Sequence, residues 1–459
     1  MMQKKCLVLI ICAALAGCNS TLESNELPQD NVPNNWFEYE SGGKASDSWQ
    51  EINKDKHLHT LIVQSISNNR PIRKARLELD IAKQQLIIAD ADFLPSLSSS
   101  FDYSKRKQAG QDSASSSYGI GFDLKYELDI WGKLSANSRQ ANLDYLSALA
   151  SYEQQLINLV TSVSKSWFSL VESELQIKLQ KERAELTKQS VDIIEKGYRQ
   201  GLNSALDVYL ARTELNNEQA KLFELFNSNK RLQRDLKTLL AEYPDANVIT
   251  DAGFPELSSL NSLGLPSDVI KQKPAIQSAW FKLLAQDAAL AYAHKQRFPS
   301  FNLSLSIDSS NEKLSDAIRF DQIGWNFLAG ITAPIFNAGR LAANEEKQRL
   351  TLKSLELSYL EDINSTFKDI ENSLANEQAL IARLDKVKHS SENAKLAATL
   401  SFEQYQKGLV SYTTVLDAQK RSFDAQSNFI SLNNQLLQNR FSLYQAIGGK
   451  YLIDSQEKQ

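Results

Sequence analysis

The sequence predicts a mainly helical chain that carries a small amount of membrane-type β-structure, laid out as two copies of one plan. Three features predict it: a helix-forming composition with very long stretches free of Pro and Gly, segments of strict apolar–polar alternation, and an internal repeat of about 205 residues.

The helices come first. Gly and Pro number only 17 and 10 in 459 residues, while Ala, Leu, Gln, Ser, Lys and Glu are plentiful; this is a helical composition. From about Leu134 to Tyr198 only Gly197 interrupts, a run of roughly 100 Å as a helix. Leu149, Leu156, Val163, Leu170, Ile177, Ala184 and Val191 form a seven-residue column along it, the spacing of coiled-coil packing. A second run, about 341–405, carries Leu360, Ile363, Phe367, Ile370, Leu374 and Ile381. Returning helices are expected over about 205–241 and 412–447, after tight turns at Gly201 and Gly408.

The repeat is anchored four times in one order. Asn69-Arg70-Pro71 corresponds to Gln272-Lys273-Pro274, Leu94-Pro95-Ser96 to Phe298-Pro299-Ser300, and Gly132-Lys133-Leu134 to Gly339-Arg340-Leu341. Tyr198 to Ser204, with Gly201 and Leu202, corresponds to Tyr405 to Ser411, with Gly408 and Leu409. Each half therefore reads helix, two strands, long helix, tight turn, helix. The expected units are 56–264 and 265–450, preceded by a segment at 18–55 and followed by a tail at 451–459.

The strands carry the membrane argument. From Tyr118 to Ile130, one face is Tyr118, Ile120, Phe122, Leu124, Tyr126, Leu128 and Ile130, and the other Gly119, Gly121, Asp123, Lys125, Glu127 and Asp129. Such alternation, with aromatics toward both ends, fits a barrel strand with one face to lipid and one to a polar lumen. Its partner is expected at about 97–107. In the second half, Phe301, Leu303, Leu305 and Ile307 alternate over about 301–308, and Trp325, Phe327, Ala329, Ile331, Ala333 and Ile335 over about 324–335. The polar connections, Lys105 to Ser117 and Ser309 to Asp321, are expected to be extracellular loops. Four strands leave two unpaired edges, each costly in lipid, and barrels close at about eight strands or more. Copies of the chain must supply the rest: two copies give eight strands, three give twelve and an open lumen.

The N-terminus reads as a secretory signal over residues 1–17. Lys4 and Lys5 precede an apolar run too short to span a bilayer. Leu15-Ala16-Gly17-Cys18 resembles the bacterial lipobox, which implies a lipid on Cys18. Asn19, where Asp would favour the inner membrane, resembles outer-membrane sorting. The other two cysteines, Cys6 and Cys12, lie within the signal, so the mature chain has no second thiol for a disulfide. Losing Lys4 and Lys5 shifts the formal net charge from −4 to −6, and nothing in the sequence suggests nucleic acid.

Enzyme chemistry finds little support. His57 and His59 sit two apart, a spacing that does not share a helix face, and no further ligands lie beside them. Phosphate-loop, zincin and nucleophile-elbow motifs do not occur. The acid pair Asp90 and Asp92 reads as a solvated helix end near Pro95. The sequence therefore predicts no catalytic residues, no metal site and no cofactor beyond the lipid on Cys18.

Taken together, the lipobox, Leu265-Pro266-Ser267-Asp268 leading to Lys273-Pro274, Phe298-Pro299-Ser300, Pro334-Ile335-Phe336-Asn337-Ala338-Gly339-Arg340, Tyr405-x-x-Gly408 and Leu416-Asp417-Ala418-Gln419 make the chain similar to TolC-like outer-membrane efflux proteins, in their lipidated branch. The similarity spans nearly the whole mature chain. It implies a homotrimer: a twelve-strand β-barrel, four strands per chain, continued by a periplasmic helical barrel. It implies a passive exit duct for small molecules, served by a periplasmic adaptor and an inner-membrane pump. Tyr198, Gly201, Leu202, Ser204, Tyr405, Gly408, Leu409 and Ser411 would then be the tips that meet the adaptor. Asp207, Asp417 and Lys420 would form the gate, with Lys420 pairing with Asp417 where the family often has Arg. Gln272-Lys273-Pro274-Ala275 departs from the family's usual Arg-Arg-Pro-Asp. A type I protein secretion duct is the alternative within the family. A structural coiled-coil envelope lipoprotein is the alternative outside it.

Overall fold

The computed structural model describes residues 32–37, 55–110, 113–248, 250, 253–257 and 265–449. The expected signal and Cys18 lie outside them. The element order is α1 (Lys56–Asn68), α2 (Arg70–Ala91), β1 (Ser96–Arg106), β2 (Ser115–Leu128), α3 (Lys133–Arg199), α4 (Ala205–Leu239), α5 (Pro266–Gln272), α6 (Pro274–Lys295), β3 (Ser300–Asn311), α7 (Leu314–Ala317), a 3₁₀ turn (Phe320–Gln322), β4 (Gly324–Thr332), α8 (Arg340–Gln406) and α9 (Tyr412–Ile447).

The repeat is visible in the lengths. α2 and α6 each have 22 residues, α3 and α8 each have 67, and α4 and α9 have 35 and 36. Each long helix starts after a left-handed glycine, Gly132 (φ 71°) or Gly339 (φ 83°), and turns back through another, Gly201 or Gly408, both at φ 73°. The two turns share their hydrogen bonds: Leu202 N donates to Gly197 O at 2.8 Å, and Leu409 N to Gln404 O at 2.9 Å.

Within a protein, a helix draws most of its stability from packing against lateral partners. α3 lies against α2, α4, α6 and α9, and α8 against α6 and α9. The main core gathers Val163, Trp167, Phe168, Leu170 and Val171 of α3 with Ile370 and Leu374 of α8 and Leu437 and Phe441 of α9. Two members of the heptad column, Val163 and Leu170, are fully buried there. The Arg440–Glu377 ion pair is buried beside this core, with side-chain exposures of 2% and 3%. No helix among the described residues is long and apolar enough to cross a membrane.

The four strands form one antiparallel sheet in the order β1-β2-β3-β4. They are 11, 14, 12 and 9 residues long, enough for tilted membrane strands of about 9–11 residues. Three expected boundaries need correction. β2 ends at Leu128: Asp129 leaves the lumenal face and caps α3, accepting from Leu134 N at 2.9 Å and Ser135 N at 2.8 Å. β4 ends at Thr332, because Pro334 has no N–H to continue a ladder; Ala333 and Ile335 therefore leave the strand. The loops are shorter than expected, since Lys105, Arg106, Ser115 to Ser117, and Ser309 to Asn311 all belong to strands.

Candidate functional site

The ladder register places the apolar positions of all four strands on one face. Tyr103 pairs with Tyr118 and Phe101 with Ile120. Phe122, Leu124, Tyr126 and Leu128 pair with Ile307, Leu305, Leu303 and Phe301. Those in turn pair with Trp325, Phe327, Ala329 and Ile331. Partners directly opposite each other point to the same side, so the apolar band crosses from β1 to β4, continuous along Leu97, Leu124, Leu305 and Phe327, with Ser99, Ser309 and Asn311 as polar members of the same face. Leu97, Phe101, Trp325, Phe327 and Ile331 expose 57–75% of their surface. The other face is a rung system: Ser98, Asp123, Ser306 and Asn326 lie in one row, and Ser100, Gly121, Asp308 and Gly324 in the next. Leu328 is the apolar exception on that face, opposite Ser304. An exposed apolar face backed by a polar one, with β1 and β4 as unpaired edges, is the wall of a barrel rather than a finished barrel.

The sheet is fixed to the helices at its lower end. Trp131 Nε1 donates to Pro299 O at 2.7 Å, and its ring lies 5.4 Å from Phe298. Lys133 Nζ meets Glu127 Oε1 at 2.6 Å, and Lys295 Nζ meets Gly132 O at 3.1 Å. On the second-half side, Glu345 gathers Arg297 at 2.7 Å, Arg349 at 3.1 Å and His294 at 3.1 Å. Asp90, expected to be a solvated helix end, also ties α2 to α3 by accepting from Ser138 Oγ at 2.5 Å.

At the opposite end the four long helices turn. Leu202 and Leu409 project at 77% and 70% exposure. A side chain added at Gly201 or Gly408 would meet no atom within 4 Å, so the obstacle to substitution there is the left-handed backbone alone. Ser204 starts α4 with a capping box: its Oγ accepts from Asp207 N at 3.2 Å, and Asp207 Oδ2 accepts from Ser204 N at 3.3 Å. Ser411 starts α9 without a backbone cap, its Oγ lying 2.6 Å from Thr413 Oγ1 instead.

The two tips are less alike than their sequences. Tyr198 is half exposed, whereas Tyr405 turns in and packs on Tyr412, with ring centroids 5.5 Å apart. The reason lies at the repeat position of Tyr412, which is Ala205 in the first half: there is no ring for Tyr198 to meet. Val191, Ile194, Val208, Ala211 and Val415 close a small core around Tyr412. The Tyr405 and Tyr412 hydroxyls are buried without a hydrogen-bond partner among the described residues. Burial pushes both hydroxyls up from the usual tyrosine value, and the Asp207 charge adds to it in each case. Asp207 therefore lies close enough to this tyrosine pair for its charge to act on both hydroxyls.

Within the chain, Asp417 does not pair with Lys420. Asp417 Oδ2 accepts from Arg421 Nε at 2.8 Å, four residues on, and Lys420 has no ion pair among the described residues. About one turn along the helix brings the Arg421 guanidinium alongside the carboxylate. The sequence reading overlooked Arg421, although the i, i+4 spacing from Asp417 could have found it.

It also overlooked Arg183. This residue of α3 meets Glu218 at 2.6 Å and Glu214 at 3.2 Å on α4, and Asp424 at 3.6 Å on α9. It also lies over the Phe423 ring, 5.3 Å from its centroid. Burial and a hydrogen bond shared with Glu214 push the Glu218 carboxyl up, against the pull of Gln180 and Arg183. Nothing in one sequence places residues 31 to 241 positions apart around one guanidinium.

The comparisons agree with this geometry. The family model described as outer membrane efflux protein matches residues 61–242 and 265–449. The chain is 29% identical over 450 residues to "Probable outer membrane lipoprotein SilC" of Salmonella typhimurium, covering 95% of this chain and 97% of that one. It is 28% identical over 456 residues to the cation efflux system protein CusC of Escherichia coli K12, covering 97% and 99%. A crystal structure of CusC superposes with a TM-score of 0.81 at 26% identity, over 91% of this chain and 97% of that one. A membrane protein from Pseudomonas aeruginosa superposes with a TM-score of 0.86 at 25% identity, over 92% and 98%. With both repeats matched separately, and the sheet and paired long helices matched as a whole, the chain belongs to the outer membrane efflux protein family.

Proposed function

We propose that this chain is the outer-membrane exit duct of a tripartite efflux system. It passively conducts small molecules, whether drugs, toxic compounds or ions, that a periplasmic adaptor and an inner-membrane pump deliver. The observation that carries the reading is the sheet: one continuous apolar face, one polar face and two open edges. Three copies would close it into twelve strands around a wet lumen, and their long helices would continue the passage through the periplasm. That relatives are named for cation efflux and toluene efflux supports a small-molecule cargo.

The helical tips form the adaptor-facing end and the gate. The adaptor would meet the exposed Leu202 and Leu409 with the turn residues Tyr198, Gly201, Ser204, Gly408 and Ser411. The half-buried Tyr405 lies just inside. Asp417 on α9 and Asp207 on α4 are the gate's acidic groups; Arg421 takes the pairing role expected of Lys420. Lipid on Cys18 would sort the chain to the outer membrane, which the name of the SilC relative supports. Restoring the wild-type gene to a strain lacking its efflux ducts should restore resistance to a pump substrate. Cys18→Ala should lose labelling by a fatty-acid analogue. Absence of any rescue in cells with a matching adaptor and pump would overturn the reading.

A further inference from the structure

We propose that the outer lip of β1 binds a phosphate of lipopolysaccharide, the phosphorylated glycolipid of the outer leaflet, through Lys105 and Lys107. The inference rests on the barrel reading above.

The geometry begins with the hairpin. The lower ends of β1 and β2 lead into α2 and α3, so the β1–β2 turn is the end farthest from the periplasmic helices. Near that turn, Tyr103 pairs with Tyr118 in register, with ring centroids 4.9 Å apart. Tyrosine at this height is the upper edge of an apolar band, where an amphipathic ring bridges chains and headgroups. Two residues on, Lys105 lies on the same face of the strand, opposite the small Ser116. Arg106 falls on the polar face, and Lys107 follows as the chain leaves the strand.

Charge clustering singles these residues out. Lys105, Arg106 and Lys107 are all exposed, and none has an ion pair among the described residues. Several cations elsewhere around the sheet are matched within the chain, although Lys125 on β2 and Lys313 in the other outer loop are likewise without an ion pair among the described residues. Lys133 meets Glu127 at 2.6 Å, Arg297 meets Glu345 at 2.7 Å, and Arg319 in the other outer loop meets Asp321 at 2.7 Å. Three consecutive unmatched cations make the lip of β1 the densest unmatched positive charge around the sheet, which favours an anion from outside the chain. Below it, on the same face, Tyr103, Phe101 and Leu97 are 53–69% exposed. A ligand that suits both parts has acyl chains beneath and phosphate above. A polypeptide acid would leave the apolar strip uncovered. On this end of the barrel, the leaflet that offers such a molecule is the outer one.

The test uses the full-length protein purified from outer membranes in mild detergent. Binding of lipopolysaccharide, dephosphorylated lipopolysaccharide and phosphatidylglycerol is measured by native mass spectrometry. The chains are wild type, Lys105→Gln/Lys107→Gln, and Lys395→Gln as an exposed control on α8. Wild type and the control should bind lipopolysaccharide in preference to both other lipids. The double variant should bind it roughly fivefold more weakly per lysine lost, with assembly unchanged. Equal binding by the double variant, or equal binding of phosphatidylglycerol, would overturn the site. A chain that does not assemble in the outer membrane at all would instead refute the barrel reading.

Discussion

Asp417 and Arg421 lie one turn apart on α9, with Arg421 Nε donating to Asp417 Oδ2 at 2.8 Å and both side chains mostly in water, at 62% and 75% exposure. Exposed pairs at this spacing contribute only about 0.3–0.5 kcal/mol. The pair can therefore break at little cost to its helix, freeing either side chain to meet a neighbouring chain. Repeated around a three-fold axis, it would put a ring of like carboxylates near the closed end, which draws cations.

Asp417→Ala should raise single-channel conductance in planar bilayers and lower cation selectivity, with trimer yield unchanged. Arg421→Ala should raise conductance while leaving selectivity for cations in place. Lys420→Ala, lacking the pair, should have the smaller effect. Wild-type conductance in both Asp417→Ala and Arg421→Ala would remove these residues from the gate.

Gly408 tests the tip. At φ 73° with open space around its α-carbon, Gly408→Ala should cost about 1–2 kcal/mol of local strain and retain export. Gly408→Trp adds bulk to the surface beside Leu409 and should abolish export while trimers persist in the membrane. Full resistance in cells carrying Gly408→Trp would show that the adaptor docks elsewhere.

The buried Arg440–Glu377 pair joins α9 to α8, with Asn439 Nδ2 also donating to Glu377 at 2.9 Å. Arg440→Met strands a carboxylate in the core and should cost about 3–5 kcal/mol. Adding Glu377→Leu should recover much of that loss. Thermal unfolding of the three proteins in detergent decides it: a double variant no better than the single one would mean the pair's value lies in geometry that Met and Leu cannot supply.

Glu218 gives the helical tunnel a pH dependence. Its carboxyl is pushed above its ordinary value of 4.5, chiefly by burial. The folded chain thus holds this proton more tightly than the unfolded one. Its contribution to stability is present below about pH 4.5 and is lost as pH rises through the raised folded value. Glu218→Gln should flatten that part of the melting-temperature profile, with Glu214 and Asp424 still meeting Arg183. Identical slopes for wild type and variant would assign the dependence to other groups.

The sequence was most readable where one short-range pattern dominated. Period-two alternation located all four strands, and the absence of Pro and Gly located α3 and α8 nearly to their ends. Boundaries slipped where a single residue had two uses: Asp129 continues the alternation by pattern, yet its carboxylate serves the start of α3. Pairwise contacts were harder. Lys420 stood in the family's expected position, but within the chain Asp417 pairs with Arg421. The Tyr405–Tyr412 packing depends on Tyr412 differing from its repeat counterpart Ala205, a contrast that the repeat itself conceals. Arg183 with Glu214, Glu218 and Asp424 joins three helices, and only their tertiary packing brings those charges together.

Barrel closure by three copies is the centre of this account, because β1 and β4 each have one edge unpaired among the described residues. Native mass spectrometry of the protein extracted from outer membranes tests it most directly. The account predicts an assembly of three chain masses that survives mild detergent. A stable species of one or two chains, with the strands still folded, would contradict it.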